Sequence, residues 1–294
     1  MKAGRVFVLL SFCATLVACS PPDQPVSTTP GLDSANLRII TLSPHLAELV
    51  FAVGAGDLMV GVSAFTDYPE DATNLPVVGD AFNLDQEQLI LLRPNLLLSW
   101  ETGTPAHVVD ELRNRGYRVE EISTTTLDDL PSALLKLGTL TGREEEARAV
   151  AETFSQGIGA LATAAADATP IRVFYQVNAH PLYTINGEHY LSEVIEVCGG
   201  INIFADLSGL APLISVESVL EREPEVILAS SDAGTQAFDE WRRWSDMAAM
   251  QYGNLFLMSA NEIGRATPRL LTGAAALCDA LEKSRMNRRR KVDD

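Results

Sequence analysis

The sequence predicts an α/β protein made of two similar Rossmann-like lobes, each built on a parallel sheet, joined by one long α-helix. Three observations indicate this class. Apolar strands alternate with helical segments, which is typical of parallel α/β units. Patterns in the first half recur in the second, and an alanine-rich segment separates the halves. Two similar lobes on one connection leave a single cleft between them.

Two matching helical segments mark the internal duplication. LAELVFAVG at 46–54 and LSEVIEVCG at 191–199 share a pattern of apolar residues and end in glycine. In the first segment Ser43 is suited to the N-cap, Pro44 to the first helical position and Gly54 to a left-handed end. Apolar residues spaced for one helical face predict its buried side: Leu46, Leu49, Val50 and Val53.

A second matching pair lies further along each half. Glu87 lies seven residues before Pro94, and Glu217 lies seven residues before Pro224. Each place predicts a short helix, a proline turn and a buried strand. The first of these strands ends at Trp100, and its unbroken apolar run predicts burial on both faces. Ligands of open α/β sheets bind at the carboxyl ends of strands, so Trp100 is either a cleft wall or a cap of the core.

Each half begins with a predicted strand, RIITLS from Arg38 and RVFYQV from Arg172. Between the halves, 143–168 is rich in alanine with acidic residues in its first turn, which favours one long helix. Two shorter helices broken at Gly157 and Gly159 are the alternative. A continuous helix would let the lobes open only slightly around it.

The first residues predict export. Lys2 and Arg5 precede a short apolar run that ends in LVAC, which resembles the lipobox of bacterial lipoproteins and predicts lipidation of Cys19. A plain signal peptide is the alternative. The predicted organisation is a signal peptide at 1–19, a disordered tether at 20–36, an N-terminal lobe at 37–142, a connecting helix at 143–168, a C-terminal lobe at 169–284 and a basic tail at 285–294.

Composition narrows the function classes. The chain is 47% hydrophobic, enough for a large core, and its formal charge is −17, which disfavours binding to nucleic acid. The basic run at 285–291 predicts a solvated tail, with contact to a membrane surface as the alternative. Cys198 and Cys278 remain after the leader cysteines are set aside, and two cysteines in an exported protein indicate one disulfide, with buried free thiols as the alternative.

Five stretches together resemble a known family. They are TLSPHLAELVFAVGAG, GVSAFTDYP, VVGDAFNLDQEQLILLRPNLLLSW, LYTINGEHYLSEVIEVCGGINIFADL and RATPRLLTGAAALC. In this order they resemble the periplasmic cobalamin-binding proteins of the bacterial corrinoid ABC importer, which belong to the helical-backbone class of substrate-binding proteins. The resemblance runs from Arg38 to about Leu281. Because the same fold serves binders of haem, siderophores and metals, the fold alone leaves the ligand open.

The resemblance implies a corrinoid held between the lobes and delivered to a membrane permease. It places the two permease-docking glutamates of the family on Glu87 and Glu217, the positions already paired by the duplication. The alternative for both is an acidic first turn that complements the helix dipole. The disulfide of the family falls on Cys198 and Cys278. We expect a monomer without a cofactor, with cobalamin as the transported ligand.

The resemblance also assigns ligand contacts. Cobalamin is large and amphipathic, so its site needs apolar and aromatic walls with a few hydrogen-bonding groups. The positions that match pocket residues of the family are Trp100, Phe65, Arg265, Asn261, Val177, Ala211 and, beside Ala81, Phe82. Arg265 would bond ligand amides, and a surface salt bridge is its alternative. Several of these residues replace family aromatics, which puts the affinity and the exact corrinoid in question; Tyr183 and Tyr190 are candidate replacements or structural residues.

Rival functions have weaker support in the sequence. A metal site needs converging ligands, and the four histidines are scattered, with His45 the best placed because it opens a helix at the cleft. Haem would need an axial ligand such as Tyr183 or His45. For an enzyme we find no nucleophile elbow, no phosphate-binding loop and no zinc-protease motif, so we expect a binding protein.

Overall fold

The structure is a computed structural model that describes residues 36–293. The predicted signal peptide at 1–19, the lipidation site Cys19 and all but the last residue of the predicted tether at 20–36 lie outside the described residues. Within the described part, no helix is long and apolar enough to cross a membrane.

The N-terminal lobe is a four-stranded parallel sheet in the order β2-β1-β3-β4 with helices around it. Its strands are β1 (Ile39–Thr41), β2 (Met59–Gly61), β3 (Leu96–Trp100) and β4 (Val119–Ile122). Its helices are α1 (Pro44–Ala52), α2 (Glu70–Thr73), α3 (Gln86–Leu92), α4 (Ala106–Asn114) and α5 (Asp129–Thr141). Leu96 to Ser99 of β3 are fully buried, as the unbroken apolar run predicts.

The C-terminal lobe repeats this plan with a parallel sheet in the order β8-β5-β9-β10. Its main strands are β5 (Ile171–Gln176), β8 (Gly200–Asn202), β9 (Val226–Ser230) and β10 (Leu255–Met258), and a small hairpin is formed by β6 (Asn178–Ala179) and β7 (Leu182–Tyr183). Its helices are α7 (Tyr190–Val197), α8 (Val216–Glu221), α9 (Ala248–Gln251), α10 (Ala260–Ile263) and α11 (Leu270–Asp293). In each lobe the first strand lies between the second and the third, so the two sheets have one topology.

The duplication extends to single residues at the ends of two helices. Arg93 ends α3 and Glu223 follows α8, both in the left-handed region with φ of 45° and 44°. An arginine at the start of each lobe braces that end: Arg38 Nε donates to Leu92 O at 3.0 Å, and Arg172 Nε donates to Glu223 O at 2.8 Å. Matching side chains therefore hold α3 and α8 in equivalent places.

One apolar core is shared by the two lobes. Ile39 of β1 and Val173 of β5 both pack into this shared core, which includes the four predicted face residues of α1. The neighbouring residues Ile40 and Phe174 point to the opposite sheet faces and pack into separate cores, one in each lobe. Because the lobes share a packed interior, large opening motions would expose apolar surface, which favours a small range of movement.

The connecting helix is continuous. It is α6 (Glu144–Ala165), and it passes through Gly157 and Gly159 without a break, so the alternative of two shorter helices is not observed. Ala147, Ala151 and Phe154 of this helix are buried in the shared core. The predicted fold class, two parallel-sheet lobes joined by one long helix, is confirmed.

The predicted disulfide is present in the C-terminal lobe. Cys198 and Cys278 are bonded with their Cα atoms 4.7 Å apart. The bond joins the end of α7 to α11 and fixes the last helix against the duplicated one.

The prediction of a basic tail at 285–294 is wrong in its first half. Helix α11 continues to Asp293, and Arg285 is buried. Its Nη2 donates to Cys198 O at 2.7 Å and its Nε to Thr169 O at 2.9 Å, while Arg288 Nη1 donates to Glu225 Oε1 at 2.8 Å. These acceptors lie far from the basic run in the sequence. The run alone therefore does not reveal that Arg285 and Arg288 are held against the C-terminal lobe.

Candidate functional site

A cavity of about 210 Å³ lies between the lobes. The N-terminal lobe contributes the last residue of β3 and residues that follow β1 and β4, at the carboxyl edge of its sheet. The C-terminal lobe contributes the start of α7 and the segment before α11. The lining residues are Ser43, Pro44, His45, Trp100, Thr124, His189, Tyr190, Gly264, Arg265 and Ala266. The cavity is thus at the strand ends where an open α/β sheet binds its ligand.

Trp100 lines this cavity and also packs against the shared core. Its ring lies edge-on to His45, with the ring centroids 5.0 Å apart, and Gly103 lies directly against Cε3 and Cζ3 of the indole. The backbone amide of Trp100 donates to Thr104 Oγ1 at 3.0 Å. Within residues 36–293 the buried Nε1–H has no acceptor, so the indole is held by packing. Trp100 is therefore both a wall of the cleft and a cap of the core, the two alternatives that the sequence left open.

His45 is a buried neutral group at the floor of the cavity. Burial, and then the charge of Arg265, lower the pKa of His45 to about 3. Its Nδ1 is 2.7 Å from Ser43 Oγ and its Nε2 is 3.5 Å from Thr124 Oγ1. Ser43 occupies the N-cap position of α1, but its hydroxyl bonds this imidazole instead of the helix backbone, contrary to the predicted cap. With both ring nitrogens near hydroxyls, His45 is placed as a structural residue.

The opposite wall is made by the start of α7. His189 Nδ1 accepts a hydrogen bond from Leu191 N at 3.1 Å and so caps this helix, and burial lowers the pKa of His189 to about 4. Tyr190 is buried, its hydroxyl donates to Ile263 O at 3.0 Å, and its amide donates to Thr125 O of the other lobe at 2.8 Å. Tyr190 therefore joins the two lobes instead of offering a free ring to a ligand.

A charged cluster joins the lobes beside the cavity. Glu48, buried in α1, accepts from Arg265 Nη1 at 2.9 Å and from Arg269 Nε and Nη2 at 2.9 and 2.7 Å. Arg265 also donates to Asp67 Oδ1, and the guanidinium of Arg269 lies 4.0 Å from the centroid of the Tyr68 ring. The predicted pocket arginine thus lines the cavity and at the same time makes ion pairs across the cleft.

Within this cluster, the ion pair of Asp67 and Arg265 favours the charged form of both groups. Burial by itself raises the pKa of Asp67, but the hydrogen bond and charge of Arg265 outweigh it and hold that pKa below its usual value. Burial likewise acts to lower the pKa of Arg265, and the hydrogen bonds of Asp67 and Glu48 reverse this and raise it. Asp67 is half exposed, so it is the partner of Arg265 that a bound ligand could replace most readily.

Glu48 has a counterpart that also crosses between the lobes. Glu193 occupies the matching position of the second duplicated segment, and its Oε2 accepts from Leu127 N of the N-terminal lobe at 2.8 Å. Burial, followed by nearby carboxylates, raises the pKa of Glu193, although the Leu127 amide acts in the opposite direction. The sequence analysis did not predict that these two glutamates join the lobes. The signal that could have identified them is a carboxylate at the same position of two otherwise apolar helices.

The other five predicted ligand residues do not line the cavity. Phe65 is 82% exposed with φ of 66°, Phe82 is 69% exposed and Val177 is 40% exposed. Ala211 and Asn261 are exposed as well. Phe65 and Val177 follow β2 and β5, so they lie at the same carboxyl edges of the sheets as the cavity. Their side chains are exposed to solvent instead of lining the cavity.

Sequence reasoning also missed Leu213, which is 63% exposed. The segment from Ala211 to Ser215 alternates between exposed and half-buried residues, and Leu213 pairs with Tyr183 of the small hairpin. In an extended chain, residues two apart share a face, so Leu213 lies on the face of Ala211. An exposed apolar side chain is therefore present beside Ala211, one of the predicted ligand positions.

The two predicted docking glutamates occupy equivalent exposed sites away from the cavity. Glu87 lies in the first turn of α3, whose N-cap Asp85 accepts from the amides of Glu87 and Gln88. Glu217 lies in the first turn of α8, where Ser215 is the N-cap. Among the described ion pairs neither glutamate has a partner within the chain.

The described residues offer no basis for a metal centre. Nowhere between 36 and 293 do three or more histidine, cysteine, aspartate or glutamate side chains form a group that could hold a metal ion. His45 and His189 both border the cavity, but each has a ring nitrogen bonded within its own helix start.

Two parallel α/β lobes on one helix, with a cavity between them, have the architecture of a solute-binding protein. Residues 39–262 match the model of the family described as periplasmic binding protein. The chain belongs to this family, which consists of substrate-binding proteins rather than enzymes and indicates a periplasmic location.

Individual relatives of the chain have names that specify a ligand. The chain is 35% identical over 246 residues to the vitamin B12-binding protein of Vibrio cholerae, covering 83% of this chain and 89% of that protein. The crystal structure of the periplasmic vitamin B12 binding protein BtuF of Vibrio cholerae has a TM-score of 0.77 at 33% identity, covering 84% of this chain and 97% of that one. A periplasmic heme-binding protein, RhuT of Roseiflexus, shares the fold with a TM-score of 0.74 at 22% identity, over 85% of this chain and 99% of that one.

Proposed function

We propose that this protein captures cobalamin in the cleft between its lobes and delivers it to an ABC permease for import. The observation that supports this most is a cavity that brings Trp100 and Arg265 together from opposite lobes, in a chain one third identical to vitamin B12-binding proteins. Cobalamin is then cargo, and the protein needs no cofactor for this task.

The cavity accounts for only part of such a ligand. Pockets for ligands of drug size measure about 300 to 1,000 Å³, and the cavity of about 210 Å³ is smaller than that range. It is therefore the floor of the site, and a corrin ring would extend toward the exposed apolar residues Phe65, Phe82 and Val177. Their exposure leaves apolar area that a flat, amphipathic ligand would cover.

Arg265 is suited to bind the amide groups around a corrin. A guanidinium has five N–H donors, and the described hydrogen bonds of Arg265 use Nη1. Glu48 is buried and holds the arginine in place, whereas Asp67 is half exposed. A ligand oxygen would share the arginine with Asp67 or displace it, while the pair with Glu48 remains.

Delivery would use the two exposed glutamates. We infer that Glu87 and Glu217 pair with cations on the permease, one for each lobe, and that lipidated Cys19 keeps a monomeric protein at the membrane. Two equivalent helix starts on matching lobes support this arrangement, since a pair of anchors fixes orientation as well as position.

The docking proposal is tested by uptake of radiolabelled cobalamin into cells that depend on this protein. Glu87→Ala combined with Glu217→Ala should abolish most permease-dependent uptake while leaving ligand binding by the purified protein intact. The matched control is Glu70→Ala with Glu145→Ala, two exposed glutamates in the first turns of other helices. Unchanged uptake in the docking variant would refute the assignment of these residues.

A further inference from the structure

The charged side chains beside the cavity form two pairs of different geometry. Glu48 binds Arg269 through both of its oxygens: Oε2 accepts from Nε at 2.9 Å and Oε1 accepts from Nη2 at 2.7 Å. Such a bidentate pair is the stronger kind of ion pair. Arg265 reaches Glu48 through Oε1 only, at 2.9 Å, and pairs separately with Asp67. Because Glu48 is shared with Arg269, Asp67 is the principal counterion of Arg265.

Counted formally, the charges of this cluster cancel. The guanidinium groups of Arg265 and Arg269 face the carboxylates of Glu48 and Asp67. Burial acts to raise the pKa of Asp67, but the hydrogen bond and charge of Arg265 outweigh it and hold that pKa below its usual value. Asp67 is therefore a carboxylate at neutral pH, and it offsets the charge of the arginine.

Inside the cavity, Arg265 has no charged neighbour. Burial, and then the charge of Arg265, lower the pKa of His45 to about 3, and burial lowers the pKa of His189 to about 4, so both imidazoles are neutral at pH 7. Of the residues between 36 and 293 that line the cavity, Arg265 alone is charged at that pH. The charge that a ligand meets is therefore set by Arg265 and its counterion Asp67.

Asp67 lies where the proposed ligand would pass. It follows Phe65 by two residues, and Phe65 is 82% exposed at the carboxyl edge of the N-terminal sheet. The side chain of Asp67 is 46% exposed, whereas that of Glu48 is 2% exposed. A ligand that covers Phe65 and reaches Arg265 would lie next to the carboxylate of Asp67.

We propose that Asp67 selects the chemical class of the ligand: by neutralising Arg265 it admits uncharged polar groups, such as the carboxamides of a corrin, and disfavours carboxylates. This rests on the proposed capture of cobalamin and adds the residue that distinguishes amides from acids. The described hydrogen bonds of Arg265 use Nη1, so an amide oxygen can accept from its other N–H groups while Asp67 stays in place. A carboxylate bound there would lie beside the negative charge of Asp67, and like charges a few ångströms apart repel.

A change in selectivity separates this role from a purely structural one. Asp67→Asn leaves Arg265 with a share of Glu48, so the cluster gains one formal positive charge beside the cavity. An acidic ligand should then gain affinity relative to an amide ligand. If Asp67 only held Arg265 in position, its replacement would weaken both kinds of ligand by the same factor.

The test is calorimetric titration of the purified full-length protein with cyanocobalamin and with each of its isomeric monocarboxylic acids, in which one propionamide is hydrolysed to a carboxylate. The wild type should bind cyanocobalamin more tightly than at least one of the acids, and Asp67→Asn should reduce that preference about fivefold or more. Asp67→Glu keeps the charge and should keep the preference. Added salt should weaken the preference of the wild type, because it screens the repulsion.

The matched control is Asp71→Asn, which removes an exposed carboxylate of α2 that has no partner among the described ion pairs. It should retain the wild-type preference, and thermal melting verifies that each variant is folded. If the wild type does not bind cyanocobalamin, the proposed function itself fails. If it binds the amide and all of the acids equally, or if Asp67→Asn changes every affinity by one factor, cobalamin capture stands and selection by Asp67 is refuted. An equal effect of Asp71→Asn would also refute it, since the net charge of the protein would then decide.

Discussion

Trp100 owes its position at the cleft to the absence of a side chain at Gly103. A Cβ atom added to Gly103 would lie 1.8 Å from Cε3 of Trp100 and 2.3 Å from Cζ3. Two carbon atoms cannot lie this close without a bond, so the ring would have to move. The turn after β3 is therefore part of the proposed ligand site, although Gly103 itself need not touch the ligand.

Gly103→Ala is predicted to displace the indole and to weaken cobalamin binding while costing about 1–3 kcal/mol of unfolding free energy. Isothermal titration gives the affinity, and tryptophan fluorescence reports the change around the ring. An alanine variant that keeps both the wild-type affinity and the wild-type spectrum would contradict this role of the glycine.

The buried imidazole of His45 predicts loss of stability in acid. Its pKa in the folded protein is lowered from 6.5 to about 3, by burial and then by Arg265, and that of His189 is lowered to about 4 by burial. The unfolded chain therefore takes up protons below about pH 6.5 that the folded chain does not, so the unfolding free energy falls as pH falls.

His45→Gln should make the unfolding free energy less dependent on pH between about pH 7 and about pH 4.5, as measured by urea denaturation. The control His107→Gln replaces an exposed histidine and should retain the wild-type slope. Equal slopes for the wild type and the His45 variant would show that this imidazole is not the buried neutral group described above.

At the scale of elements, two glycines of α6 have opposite environments. A Cβ on Gly157 would lie 2.5 Å from Cδ2 of Leu271 in α11, whereas a Cβ on Gly159 meets no atom within 4 Å. Gly157 thus permits α6 and α11 to pack closely, and Gly159 is only a weak helix former. The connecting helix is held to the C-terminal lobe through this contact.

Gly159→Ala is predicted to raise the unfolding free energy by up to about 1 kcal/mol, because alanine favours a helix. Gly157→Ala gains the same propensity but must also move the end of the Leu271 side chain, so it should stabilise less than Gly159→Ala. Thermal and urea unfolding of the two variants give the comparison. A Gly157→Ala protein stabilised as much as the Gly159→Ala protein would mean that α6 and α11 are not packed as described.

Local patterns predicted the elements well where their causes are local. The apolar face of α1, its glycine stop and the buried run of β3 follow from neighbouring residues, and the duplication doubled each of these observations. The burial of Arg285 was not predictable in this way, because its acceptors on Cys198 and Thr169 lie far away in sequence. Trp100 and Arg265 both line the cavity, but the ion pair of Arg265 with Glu48 spans 217 residues of sequence, which local patterns do not reveal.

At the scale of the whole molecule, the lobes are joined by charge as well as by the shared core. Glu48 is 3% exposed and its two arginine partners come from the opposite lobe. Breaking a buried ion pair by removing one partner costs about 3–5 kcal/mol, since it leaves a charge without its counterion. The arginines are partly exposed, so the lower end of that range applies here.

Glu48→Gln is accordingly predicted to lower the unfolding free energy by about 3 kcal/mol. Asp67→Asn, which removes the half-exposed partner of Arg265, should cost about 1 kcal/mol or less. Urea denaturation of both variants gives the comparison. Equal losses would show that Glu48 is not the principal link of this cluster.

The most direct measurement is a calorimetric titration of the purified protein with cyanocobalamin, repeated with Trp100→Ala and with Trp244→Ala. Trp244 is a partly exposed tryptophan that does not line the interlobe cavity, so it controls for loss of an indole elsewhere. We predict saturable one-to-one binding, weakened about thirtyfold or more by Trp100→Ala and unchanged by Trp244→Ala. Absence of binding to cyanocobalamin, or equal affinities for all three proteins, would contradict a cobalamin site between the lobes.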